Sequence, residues 1–356
     1  MNGDERTARI AIAGLGYIGR AHANAIAEGP DTCLAAVVDP SSEAAAYARE
    51  RSVPRHESLR ELFAGGTPDG VIVATPNALH MEHALACIAA GVPLLLEKPV
   101  APSVAEAHTI QRAARAAGAR VLVGHHRAHS PIMTAARDVV ARGTLGRLVC
   151  IAGSATFYKP DEYFESGPWR REPGAGPILL NLIHEVHNLR MLCGEIVSVQ
   201  ALASSAVRGF AVEDTVAITL AFASGTLGTF LLSDTAASAR SWEQTSGENP
   251  AYARADDADC YVLSGTRGSL AIPTMRLTRY AHDEDRSWWK PFVEERLERA
   301  DGDPIARQIA HFGQVIRGEC EPLVSLADGI ANLVVTEAIA KAARTGRPQP
   351  VASEAH

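Results

Sequence analysis

Up to about Gly124 the chain alternates between two hydrophobic periods. Short β-rich apolar runs occur at Arg9–Ala13, Leu34–Val38, Val71–Ala74, Pro93–Leu96 and Arg120–Val123. Alanine-rich stretches between them carry apolar residues at helical spacing: Tyr17–Glu28, Ser42–Arg51, Ala78–Ala90 and Ser103–Ala117. Short strands separated by helices predict βαβ units, and so a parallel sheet with helices on both faces. Gly91 and Gly118 stand just before the next strand, where helix C-terminal glycines belong.

Beyond Gly124 the pattern changes. A helix over Ile132–Arg142 leads into a long strand, Arg147–Phe157, and then an irregular, proline-bearing segment, Tyr158–Pro177. A helix over Leu179–Cys193 follows. Runs of β character come next at Val197–Val207, Thr215–Phe222, Thr226–Leu232, Cys260–Ser264 and Ser269–Pro273, with few helices between them. This half predicts an α+β domain with a mostly antiparallel sheet. Polar Ser238–Asp257 reads as a long loop, and helices over Pro304–Arg317 and Ala327–Arg344 close the chain.

At about 150 residues per domain, 356 residues suit two domains. The 47% hydrophobic and 21% charged content excludes a disordered or fibrous chain. A net charge of −7 leaves no footprint for nucleic acid. Apolar stretches such as Val92–Leu96 fall far short of the ~20 residues of a membrane span, and the start, Met1–Thr7, is polar. The cysteines at 33, 87, 150, 193, 260 and 320 stand singly, which argues against a disulfide framework or a zinc module. Together these point to a soluble, cytoplasmic protein.

Gly14-Leu15-Gly16-Tyr17-Ile18-Gly19 is a G-x-G-x-x-G that follows a strand and opens a helix. Its first glycine permits a tight turn, the second lets a pyrophosphate approach the backbone, and the third allows close helix–strand packing. Asp39 ends the second strand, where an acid meets the adenosine ribose hydroxyls. Its carboxylate disfavours a 2′-phosphate, and no Arg or Lys follows until Arg49, so NAD is expected over NADP. Two further strand ends carry polar residues, Ala74-Thr75-Pro76-Asn77 and Glu97-Lys98-Pro99, at the edge where open α/β sheets bind ligands. Thr75, Pro76, Asn77, His80, Glu97 and Lys98 are expected at the cofactor. His125-His126-Arg127-Ala128-His129 contains no carboxylate or cysteine and reads as linker and pocket wall; no metal is expected.

The glycine loop, Ala74–Asn77, Glu97-Lys98-Pro99 and Gly124-His125-His126-Arg127 together resemble the Gfo/Idh/MocA family. The resemblance extends through Gly174-Ala175-Gly176 to Glu321-Pro322-Leu323-Val324-Ser325 and Thr345-Gly346-Arg347-Pro348. It implies an α/β chain, with an N-terminal Rossmann dinucleotide-binding domain over 1–126. It also implies a C-terminal α+β domain with an open, mainly antiparallel sheet over 127–356, for substrate binding and oligomerisation. The family's catalytic lysine and D-x-x-x-H pair map onto Lys98 and His184, but the aspartate position is Leu180. Asn181, three residues before His184, shares its face of an α-helix and is expected to bind a substrate hydroxyl or orient the imidazole. Arg127, Tyr158, Tyr163, Trp169, Arg170 and His187 are expected to wall the substrate.

The expected reaction is oxidation of a secondary alcohol of a sugar, cyclitol or related cyclic diol by NAD. His184 is the base, since imidazole titrates at about 6.5, and Lys98 stabilises the developing alkoxide. Two rival readings are an NAD-dependent glycosidase-type enzyme using transient oxidation, and an inactive NAD-binding regulatory protein. A homodimer or homotetramer packed through the C-terminal sheet is expected.

Overall fold

The computed structural model describes residues 7–351, so of the polar start Met1–Thr7 only Thr7 lies among the described residues. Packing divides the chain into two units. One takes the described residues up to His129 together with Asp303–Leu333; the other takes Ser130–Gly302 and the described residues from Val334 on.

The first unit is built on a six-stranded sheet: β1 (Ala8–Ala13), β2 (Thr32–Val38), β3 (Arg55–His56), β4 (Gly70–Val73), β5 (Leu94–Leu96) and β6 (Val121–Val123). The order is β3-β2-β1-β4-β5-β6 and every pair is parallel. β4, β5 and β6 are buried along their whole length. That is why their sequences are unbroken apolar runs with no alternation. Helices Ser42–Glu50, Leu59–Gly65 and Val104–Ala117 each begin with a serine, Ser41, Ser58 or Ser103, whose hydroxyl accepts a backbone N–H of the first turn.

The chain returns to this unit near its end. The Val123 N–H donates to the Val324 carbonyl at 2.9 Å. Nη1 of Arg120 donates to the Val315 carbonyl at 2.8 Å. Gly329 lies against Val100 and Val123 so closely that a Cβ would stand 2.6 Å from a Val100 methyl. The expected boundary at 126/127 assigned Asp303–Leu333 to the second domain; a change of pattern along the chain cannot reveal such a return.

The second unit has a nine-stranded sheet. Its strands are β7 (Leu148–Thr156), β8 (Ile196–Ser204), β9 (Thr215–Phe222), β10 (Leu227–Ser233), β11 (Tyr261–Gly265), β12 (Gly268–Ile272), β13 (Arg276–Arg279), β14 (Val293–Arg296) and β15 (Gln349–Pro350). They run in the order β14-β13-β12-β11-β7-β10-β9-β8-β15. Only β7 and β10 pair in parallel. Helices Pro131–Ala141 and Ile183–Cys193 and the later part of Leu326–Thr345 contribute to the core against one sheet face. The other face exposes Leu202 of β8 and Leu231 of β10, both paired in register with Ala217 of β9.

Three segments differ from expectation. The Ser238–Asp257 loop contains a helix, Trp242–Ser246, anchored by buried Trp242, whose indole N–H donates to Glu248 at 3.0 Å. Tyr158–Pro177 is not wholly irregular, since it holds Asp161–Glu165 and a 3₁₀ turn, Pro168–Arg171. The helix expected from Leu179 opens as a wider π turn, Ile178–Leu182, before the α-helix Ile183–Cys193. Among the described residues no helix is long and apolar enough to cross a membrane.

Candidate active site

The end of β1 turns at Gly14, whose φ is +88° and where a Cβ would stand 2.6 Å from the Ala74 carbonyl oxygen. At Gly19 a Cβ would run into the Gly14 carbonyl. Gly16 differs, since it is exposed and a Cβ there would meet nothing within 4 Å. It begins helix Tyr17–Glu28, which has no side-chain cap and no acidic residue in its first turn. The serine caps Ser41, Ser58 and Ser103 of the other helices each satisfy one first-turn N–H; this helix has no such cap, and its dipole favours an anion. The cradle fits a dinucleotide pyrophosphate, with Gly16, Tyr17 and Ile18 at its open side.

Asp39 accepts the Leu15 N–H at 2.8 Å and the Ser41 N–H at 2.9 Å, one on each carboxylate oxygen. Burial alone would raise its pKa, but the Leu15 and Ser41 hydrogen bonds and the Arg55 charge outweigh it and hold it below the usual carboxylate range. The residues after Asp39 carry no cation, as expected, yet β3 brings Arg55 beside it, with Nε 3.0 Å from the Asp39 carbonyl.

The two polar strand ends are tied together. His80 is buried, its Nδ1 2.7 Å from the Pro99 carbonyl and its Nε2 2.9 Å from that of Thr75. Burial holds its pKa below the ordinary imidazole value, although both carbonyls oppose this. Expected at the cofactor, His80 joins the Thr75-Pro76-Asn77 loop to the loop after β5. Pro76 and Asn77 are exposed, while the Thr75 hydroxyl lies 3.0 Å from His83. Glu97 is also buried, one oxygen 2.8 Å from Nε2 of His22 and the other accepting the Lys98 N–H at 3.2 Å. Burial acts to raise its pKa, but the hydrogen bond and charge of His22, then Lys98 and His126, bring it below the ordinary value. Lys98 is thereby held by its backbone at the C-terminal edge of the sheet, half-buried. Sequence reading missed His22, which lies inside the helix after the glycine loop.

In the second unit, His184 and His187 lie buried at the start of helix Ile183–Cys193. Asn181 sits in the preceding π turn, so α-helical i,i+3 spacing does not govern its direction. Its Oδ1 accepts a hydrogen bond from Nζ of Lys159 at 2.8 Å. Glu213 accepts the Ile178 N–H at 2.9 Å and so holds the start of that turn; burial raises its pKa. Asp234 lies 3.5 Å from Lys159 and 3.0 Å from Nε of Arg208. Burial lowers the Lys159 pKa, with the Asp234 charge only partly offsetting it. Lys159 too was missed. The available signal was scarcity: the chain has four lysines against thirty arginines.

Of the expected substrate wall, Tyr158 and Trp169 are exposed. Arg170 stacks 4.0 Å from the Tyr163 ring centre and 5.4 Å from that of Trp169. Arg127 is buried. Among the described residues, no three His, Cys, Asp or Glu side chains are grouped to hold a metal ion.

Comparison with known proteins accords with this architecture. The profile of an oxidoreductase family with an NAD-binding Rossmann fold matches residues 8–125, and that of the same family's C-terminal domain matches 133–271. The 1,5-anhydro-D-fructose reductase of Ensifer adhaerens is 29% identical over 317 residues, 85% of this chain and 86% of that protein. An inositol 2-dehydrogenase of Rubrobacter xylanophilus is 25% identical over 369 residues, covering 99% and 95%. The crystal structure of an aldose-aldose oxidoreductase from Caulobacter crescentus, complexed with glycerol, superposes with a TM-score of 0.77 at 25% identity, covering 97% of this chain and 100% of that one. Profile matches across both units leave one assignment: the chain belongs to the Gfo/Idh/MocA family of NAD-binding oxidoreductases.

Proposed function

We propose that the protein oxidises a secondary alcohol of a sugar, cyclitol or related cyclic diol to the ketone, with NAD preferred over NADP. Bound NAD supplies the hydride acceptor. Lys98 donates a hydrogen bond to the alcohol oxygen and stabilises the alkoxide charge as it develops. His184 takes the hydroxyl proton. Asn181 holds a second oxygen of the substrate, and the exposed ring of Trp169 beside Arg170 offers a face for a polyhydroxylated ring.

The observation that carries the reading is the setting of Lys98, half-buried after β5 and held by Glu97, in a chain whose family profiles span both units. The names of the relatives, a reductase of an anhydro-sugar and a dehydrogenase of inositol, support the substrate class. The test is a panel of polyols, sugars and sugar acids assayed by NADH absorbance. No NADH from any member would remove the reading.

Two further parts belong to this reading. The apolar outer face of the second sheet supports a homodimer or homotetramer. Singly scattered cysteines support a cytoplasmic setting.

A further inference from the structure

Two of the four lysines, Lys290 and Lys341, lie on the surface, while the Lys159 side chain is only 11% exposed. Its ammonium points at Asn181 Oδ1, 2.8 Å away, with Asp234 at 3.5 Å and the Tyr163 ring centre at 4.9 Å. An ammonium only donates hydrogen bonds, so it fixes which way the amide faces: Oδ1 toward Lys159, Nδ2 away from it. Asp234 is shared with Arg208, at 3.0 Å, and Asp161 lies 3.7 Å from the same guanidinium, so Lys159 shares its buried carboxylate with a second cation. A side chain able to both donate and accept has thus become a donor backed by a positive charge.

The geometry points to Lys159 as a specificity-determining residue that makes Asn181 a donor-only contact and selects substrates carrying a carboxylate at that position. A carboxylate has lone pairs on both oxygens and gains from the nearby charge, whereas a neutral hydroxyl gains less and must turn its own proton elsewhere. The inference deepens the proposed function and rests on its placement of Asn181 at the substrate.

The test uses matched pairs, D-glucuronate with D-glucose and D-galacturonate with D-galactose, assayed with NAD on the whole protein. The wild type should favour the acid by at least about tenfold in kcat/KM, mostly through KM. Lys159→Met should bring the ratio near one, Lys159→Arg should keep most of it, and Asn181→Asp should reverse it. A merely structural Lys159 would lower thermal stability and leave the ratio unchanged, which overturns the inference. Turnover of both pairs without preference in the wild type overturns it too and leaves the proposed function standing. Refusal of all four compounds overturns the inference as well and leaves the proposed function to be decided by the wider polyol panel.

Discussion

Nε2 of fully buried His22 lies 2.8 Å from Oε1 of Glu97 and links the helix after the glycine loop to the residue before Lys98. Removing one partner of such a buried pair leaves the other uncompensated. His22→Leu should therefore cost about 3–5 kcal/mol of stability near neutral pH, read by urea unfolding. The Glu97 pKa is depressed in the folded state, so its contribution is complete above the unfolded carboxylate value of about 4.3 and is lost as pH falls through the folded value. The gap between wild type and variant should accordingly shrink below about pH 4. A gap that stays constant across that range would show that the pair contributes nothing through ionisation.

On the proposed function, Asp39 and Arg55 together would set the cofactor preference. The lowered pKa keeps Asp39 charged at neutral pH, where it repels a 2′-phosphate. Asp39→Ala should narrow the NAD preference on the order of tenfold, about 1.4 kcal/mol, because Arg55 remains to meet the phosphate. Adding Arg55→Ala should then abolish the gain with NADP. Equal or better kcat/KM with NADP in the wild type would contradict the assignment.

Lys98→Met and His184→Ala should leave NAD affinity within a few-fold and lower kcat on the order of 10²–10⁴. High pH should partly restore His184→Ala, since hydroxide can take the alcohol proton. It should not restore Lys98→Met, since hydroxide supplies no cation. Normal turnover in Lys98→Met would eliminate the proposed mechanism.

Leu202 and Leu231 flank Ala217 on the exposed sheet face. Light scattering should find a dimer or tetramer at micromolar concentration, and Leu202→Glu with Leu231→Glu should yield a monomer that still binds NAD. A wild-type monomer would remove the sheet face as an interface.

The parallel sheet was legible because buried strands such as β4 and β5 are unbroken apolar runs and because Gly14–Gly19 stands between a strand and a helix. β3 was not, since Arg55–His56 is a two-residue polar strand without an apolar run. Its contribution, a cation beside Asp39, arises from strand pairing and is invisible along the chain. Lys98 and His184 were singled out through motif, whereas His22 and Lys159 come from positions 75 and 22 residues distant from the partners they hold. Asn181 was placed by α-helical spacing, which the π turn overrides.

The hydrogen bond from Val123 to Val324 joins residues about two hundred positions apart. At synthesis rates of about 5–20 residues per second, β6 waits about 10–40 s for the segment that covers it. Through that interval an apolar parallel sheet stands with one edge open, the kind of surface that recruits other strands. The nucleotide cradle is encoded first and clasped last. A chain stopped before Val324 would carry every glycine of the loop and still lack the closure of the sheet they rest on, so truncation from the C-terminus should cost cofactor binding before it touches a single cofactor contact.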